Sequence, residues 1–437
     1  MKEPVVHVGI MSAAEVALQL QTPYCCNGTQ LCGPLKAEVC DGQIVCGPLV
    51  AQQLHFEPTD EQGRFCIENV VIGVQFHWQR LQSQTFQGAL TLRLIEGNIQ
   101  IINEVRAEDY LRSVIGSEMN STASAELLKA HAVISRSWLL CRILRDNPLE
   151  PFPIEHDDAS DTADRIVRWY GRDEHTDYDV CADDHCQRYQ GIGHVVPQAV
   201  DAAIEATRGM VLTYEGSVCD ARFYKCCGGA TETYPTAWEQ RHVPYLQAVR
   251  DDKDQQPLPD LTKETEAQAW IAAAPDCFCH TDDPALLRQV LNDYDLETSD
   301  FFRWQVHLSQ EQLQQLLLHK SGIDFGDIFA LNPLERGKSG RISLLEIVGS
   351  KRTVRVGKEL EIRKWLSDSH LYSSAFWVET GNDGTDVPPY FVLHGAGWGH
   401  GVGLCQIGAA AMGAQGYEYD QILSHYYPHT TITKIYE

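Results

Sequence analysis

The sequence predicts an α+β protein: a strand-rich N-terminal part, a two-helix core packed on β-structure, and an additional α/β lobe. Three observations carry this. The first hundred residues alternate β-branched and polar side chains between turn residues. The pattern then changes at Glu104 to helical spacing, and after a charged linker near residue 250 helical and strand-rich stretches alternate.

In chain order, "VVHVGIM", "IVCGPLV", "FCIENVVIGV", "ALTLRLIEG" and "NIQIINEV" read as short strands bounded by Gly, Asp, Asn and Pro. Five cysteines fall in "YCCNGTQLCGPLKAEVCDGQIVC", a pattern open to a local disulfide knot, a metal site or reduced thiols. "EDYLRSVIGSEM" places Tyr110, Leu111, Val114, Ile115 and Met119 on one helical face. The turn "NSTAS" supplies an N-cap for "AELLKAHAVISRSWLLCRILRD", a helix apolar nearly all round and therefore buried on most sides. Lys129 and Arg136 are seven residues apart on it, so one face and one direction are expected for both.

An acidic, loop-rich stretch follows, then a helix-like "VPQAVDAAIEATRG" and a strand pair in "MVLTYEGSVCDARFYKCCGGATETY". Beyond the linker come a helix in "LSQEQLQQLLLHKSG" and strands in "SGRISLLEIVGSKRTVRVGKELEIR". These readings divide the chain into a β-rich region over 1–100, a core over 101–250, an accessory lobe over 251–390, and a segment, 391–437, that returns to the core.

With 437 residues and 43% hydrophobic content the chain can bury a large core, while a formal net charge of -25 argues against nucleic acid and anionic lipid as general partners. No apolar run reaches the roughly 20 residues that span a bilayer. Fifteen cysteines, an odd number at irregular spacing, do not form a regular disulfide framework. The opening residues lack a leader pattern, so the expectation is either a cytoplasmic protein or one whose leader has been removed.

Four places can carry chemistry. Glu118 closes one apolar helix just before another, where burial without a cation raises a carboxylate's pKa toward that of a general acid; its bland alternatives are capping the second helix or pairing with Arg136. His175, Cys181, His185 and Cys186 have spacings that suit zinc, against a disulfide or two reduced thiols. "YKCCGG" offers Cys226 and Cys227 as a ligand or as the nucleophile of a Cys-His hydrolase, with His175, His185 or His400 as base. Finally, six glycines between 395 and 408 surround His400, a density that suggests a built loop.

Taken together, "VRAEDYLRSVIGSEM", "ELLKAHAVISRSW", "HCQRYQG", "FYKCCGGATE" and "GWGHGVGLCQIGAAAMGAQGYEYDQILSHYYP" resemble the bacterial stage II sporulation protein D family, which includes the amidase enhancers. The likeness runs collinearly over roughly residues 100–437. It implies a lytic transglycosylase that cleaves peptidoglycan between N-acetylmuramic acid and N-acetylglucosamine, on strands stripped of stem peptides in the sporulation branch, and leaves 1,6-anhydro ends. Glu118 falls on the family's catalytic glutamate. The resemblance also implies a structural zinc ion on His175, Cys181 and Cys186, with His185 competing, and a groove in which Arg136, Tyr189, Thr231, His400 and Gln406 meet the glycan. A cell-envelope location, periplasmic or secreted, goes with it, as does a cell-wall amidase as partner. A non-catalytic wall protein that assists such an amidase is the competing class. The chain departs from the family pattern at Asn120, Cys226, Cys227 and Cys405.

Overall fold

The computed structural model describes residues 1–72, 80–120, 122–144, 152–156, 158–170, 175–183, 185–192, 198–254, 256–291 and 300–437. Parts of the acidic stretch after residue 144 therefore lie outside the described residues. The mixed α+β class is present, with the strands concentrated at the N-terminus.

Val5–Ala13 pairs antiparallel with Asn98–Arg106, which pairs with Ala89–Ile95. The sheet continues through the hairpin Glu15–Cys26 and Thr29–Cys40. Period-2 alternation puts Val6 and Val8, and later Leu18 and Leu20, into the core. Each such side chain contributes roughly 1.5–3 kcal/mol by leaving water. The five cysteines of this region are unpaired; Cys26 and Cys46 are buried, and Cys25, Cys32 and Cys40 are exposed.

The strand Asn98–Arg106 runs directly into helix α1, Ala107–Glu118. Helix α2, Ala125–Ile143, starts at Ser124, whose Oγ accepts the Leu127 N–H at 3.3 Å, and buries most of its length as its composition predicts. Helix α3, Gln198–Ala206, is tied to α1 by Arg112, which bridges Asp109, Asp201 and Glu205. The strand Met210–Tyr214 pairs with Thr431–Lys434, so the C-terminus returns to this core. Residues 1–106, α1 to α3 and the C-terminal motif share one hydrophobic cluster.

The expected strand pair is formed by Met210–Tyr214 and Ser217–Val218, antiparallel, while Phe223–Tyr224 pairs in parallel with Leu404–Cys405. Helices α4 (Glu264–Ala273) and α5 (Pro284–Val290) follow. A second cluster is built from Ile166, from helix α6 (Gln310–Ser321, capped by Ser309) and from the strands Ile328–Arg336, Ile342–Gly349 and Thr353–Gly357. The end of "GKELEIR", expected as strand, is helix α7, Glu359–Trp365: Ile362 and Trp365 are buried at a spacing of three, which a helix satisfies and an alternating strand does not. The last helices are α8, Gln406–Ala414, and α9, Tyr419–Tyr426. No helix among the described residues is long and apolar enough to cross a membrane.

Candidate functional site

Glu118 is the last residue of α1. The chain leaves the helix at Met119, which is buried and whose N–H still donates to the Ile115 carbonyl, and Asn120 N–H then donates to Gln289 O at the end of α5. The turn holds the Glu118 carboxylate half-buried at the junction of α1, α2 and the strand end at Lys225. Neither bland role applies to it, because Ser124 caps α2 and Arg136 pairs with Glu108.

The expected upward pKa shift of Glu118 is overturned. Burial does push its carboxyl up, but the charges of Lys225 and Arg188, with the Arg188 backbone N–H, outweigh it and hold the pKa below the ordinary carboxylate value. The resting carboxylate is ionised at neutral pH.

His131 is fully buried in α2 beside it. Its Nε2 lies 3.1 Å from Gln406 Nε2, and an amide nitrogen can only donate, so the ring accepts there and carries its proton on Nδ1, 3.1 Å from Ser135 Oγ. Burial pushes its pKa down to about 4, which keeps it neutral. Gln406 is the first residue of α8, so this bond docks the C-terminal motif onto α2 next to Glu118. His131 escaped the sequence reading because a lone histidine in an apolar helix resembles core.

The remaining predicted groove residues lie in other surroundings. His400 packs edge-on to Tyr224 and Trp238, accepts the Val402 N–H on Nδ1, and is kept neutral by burial and by Arg222, Arg341 and Arg363. Arg136 is 0% exposed and clamps Glu108 through bonds of 2.9 and 2.7 Å, also donating to Met210 O. Lys129 instead meets Glu126, so Lys129 and Arg136 do not share one partner direction. Tyr189 is buried, stacks on Tyr110 and donates to Asn103 Oδ1 at 2.6 Å. Thr231 is buried and bonds Gln247 O and Val249 N–H.

The glycine loop is explained by close backbone approach. Gly403 has φ +85°, and a Cβ there would stand 2.0 Å from the Arg222 carbonyl oxygen; one on Gly401 would meet the Arg341 guanidinium at 2.5 Å. Cys226 and Cys227, proposed as nucleophiles, are buried thiols with pKa values pushed up by burial, the opposite of an activated thiolate.

The sequence-predicted histidine and cysteine set converges, with His185 included. One ligand atom each of His175, Cys181, His185 and Cys186 lies within 4.8 Å of the others. Cys186 Sγ is 3.4 Å from His175 Nε2 and 3.6 Å from His185 Nδ1. The neighbouring Cys186 thiol and His185 lower the Cys181 pKa to about 3 against the opposing effect of burial. Cys181, Tyr178 and Asp183 line a cavity of about 190 Å³ together with Arg188, which joins this cluster to the surroundings of Glu118.

Comparison with known proteins bears on the family. Residues 95–214 match the family described as stage II sporulation protein, and residues 232–403 match a domain of unknown function. The chain is 25% identical over 358 residues to an uncharacterized protein of Brachyspira hyodysenteriae, covering 81% of this chain and 75% of that one. It is 26% identical over 342 residues to the amidase enhancer of Bacillus subtilis, covering 74% of this chain but only 40% of the relative. It is also 22% identical over 337 residues to stage II sporulation protein D of Bacillus subtilis, covering 77% and 76%.

Proposed function

Because this chain carries the core of the stage II sporulation protein D and amidase-enhancer family, we propose that it acts in the cell envelope as a peptidoglycan lytic transglycosylase with Glu118 as its single acid and base. The observation that supports this best is the position of Glu118: a half-buried carboxylate at the end of α1, flanked by Lys225, Arg188 and the neutral His131–Gln406 pair.

In the proposed reaction the protonated Glu118 carboxyl gives its proton to the oxygen between N-acetylmuramic acid and N-acetylglucosamine. The carbon–oxygen bond breaks as the muramic ring gains oxocarbenium character. The carboxylate then takes the proton of the C6 hydroxyl, whose oxygen closes on C1 to leave a 1,6-anhydro end. Lys225 and Arg188 favour the carboxylate form, the product of the first half-step and the base of the second. The same cations make the acid form scarce at neutral pH, so the rate should rise as pH falls. His131, neutral and fixed by Gln406, orients the wall behind the carboxylate without competing for its proton.

His175, Cys181, His185 and Cys186 fit a structural zinc ion by their chemistry: two imidazoles and two thiols form a closed tetrahedral set. Bound there, zinc would supply rigidity. The four residues would hold the 175–189 segment, and with it Arg188, against the strand Val5–Ala13, to which Val180–Cys181 is already paired.

The ionised resting state of Glu118 favours a second reading, in which the same site binds glycan without cleaving it and the protein assists a cell-wall amidase, the role named for one relative. Product analysis separates the two. Anhydromuramic ends made by the wild type and not by Glu118→Gln support the enzyme, and glycan binding with no product supports the helper.

A further inference from the structure

Behind Glu118 a second group of cysteines converges from distant parts of the chain. Cys226 and Cys227 follow the strand Phe223–Tyr224, Cys277 and Cys279 lie between α4 and α5, and Cys405 caps α8. All but Cys277 are buried, and Asp251, 0% exposed, joins them. Cys227 Sγ is 3.2 Å from Cys279 Sγ and 3.2 Å from Asp251 Oδ2, while Cys277 Sγ is 3.7 Å from Cys279 Sγ.

We infer that Cys227, Asp251, Cys279 and Cys405 form a second metal site, one that holds a single zinc-class ion in a closed, structural role. The scale fits one ion. Zinc–sulfur bonds of about 2.3 Å in a tetrahedron set thiolates about 3.8 Å apart, and the four ligand atoms here all lie within 4.8 Å of one another. Three thiols and one carboxylate are a donor set that suits zinc over magnesium or calcium.

The surroundings are arranged for thiolates. Gly229 N–H points at Cys227 Sγ at 3.3 Å, and Cys227 N–H and Gly408 N–H point at Cys405 Sγ at 3.2 and 3.4 Å. Backbone donors of this kind orient metal-bound sulfur and stabilise its charge. Asp251 is fixed by Tyr426, whose hydroxyl donates to Oδ1 at 2.6 Å, and by Cys279 N–H, which donates to Oδ2 at 3.1 Å. His425 stands 3.6 Å from the same carboxylate, and Arg303, which donates to Gly228 O at 3.0 Å beside Cys227, is a cation available to offset the excess negative charge of such a centre.

The ion would staple four segments at the back of the Glu118 site. Cys405 adjoins Gln406, so the staple would fix the first turn of α8 and the bond from Gln406 to His131. The proposal does not depend on what Glu118 does.

Metal content by inductively coupled plasma mass spectrometry tests it, on the full chain purified under reductant and after zinc loading and dialysis. The two clusters are separated with Cys181→Ser/Cys186→Ser, which disables the first. This variant should retain about one tightly bound zinc per chain. Its cobalt-exchanged form should show thiolate-to-cobalt charge transfer, and adding Cys227→Ser and Cys279→Ser should abolish both. Because that fourfold variant could misfold, the first variant decides by itself. No retained zinc after loading, bound iron with cluster absorption, or a Cys227–Cys279 disulfide in non-reducing peptide maps would each overturn the proposal.

Discussion

Replacing Arg136 with Met tests whether this cation belongs to the interior or to a ligand groove. Arg136 and Glu108 are 0% and 1% exposed at their side chains, and two bonds of 2.9 and 2.7 Å join them. The substitution keeps an apolar stem but leaves the Glu108 carboxylate, among the described residues, with the Tyr436 hydroxyl at 2.7 Å and the Gly209 N–H at 3.2 Å. Removing one partner of a buried pair costs about 3–5 kcal/mol, a large fraction of a typical domain's stability. Urea unfolding followed by tryptophan fluorescence measures the loss at pH 7, and Glu108→Gln added to Arg136→Met should recover much of it.

The pH dependence gives a second readout. Burial opposes ionisation of Glu108, but bonding to Arg136 overcomes it and lowers the folded-state pKa, so the pair stabilises above the unfolded carboxyl pKa and is lost as pH falls through the folded one. In Arg136→Met burial dominates and the sign reverses. The gap between variant and wild type should therefore begin to narrow above about 4, as pH falls through the variant's raised pKa, and narrow further below it as the wild-type pair is protonated. A change within about 0.5 kcal/mol, the usual range of surface substitutions, together with lost glycan binding, would refute the interior assignment and return Arg136 to the groove.

Further outcomes follow from the same geometry. Lys225→Met removes a cation that holds the Glu118 pKa down, so the alkaline limb of a pH–rate profile, where the rate falls as Glu118 deprotonates, should move toward neutral pH; an unmoved limb would mean that Lys225 does not set that pKa. Gln406→Leu removes the donor to His131 Nε2 and should lower turnover at least tenfold while urea stability falls by about 1–3 kcal/mol. Unchanged turnover would remove this pair from the site. Cys181→Ser/Cys186→Ser should release one zinc and render the 175–189 segment more open to proteolysis, measured by metal analysis and limited digestion. Gly403→Ala should destabilise the fold, because its Cβ would collide with the Arg222 carbonyl; a stability equal to wild type in thermal denaturation would contradict that packing.

Local pattern made much of this molecule legible. The helical spacing of Tyr110 to Met119 and the Ser124 cap located α1 and α2, and hence Glu118 between them. The close sequence spacing of Cys181, His185 and Cys186 pointed to their cluster, although the part of His185 emerged only from the convergence of all four groups. What stayed hidden depends on contacts between distant segments. Lys225 and Arg188 reverse the pKa shift of Glu118, and nothing in "IGSEMN" announces them. Arg136 looked available until Glu108, on the preceding helix, proved to be its partner. Glycines that suggested a built loop serve close packing of Gly403 on Arg222 and of Gly401 on Arg341, which only the distant partners reveal. The Cys227, Asp251, Cys279 and Cys405 group draws on four segments, so no local spacing could reveal it.

The most direct test of the account is mass spectrometry of the products released from peptidoglycan, intact and amidase-treated, by the wild type and by Glu118→Gln. The account predicts 1,6-anhydromuramic ends with the wild type alone, more abundant from the peptide-stripped strands and at mildly acidic pH. Glycan bound by both proteins with no anhydro product at any pH would contradict it and assign the site to binding.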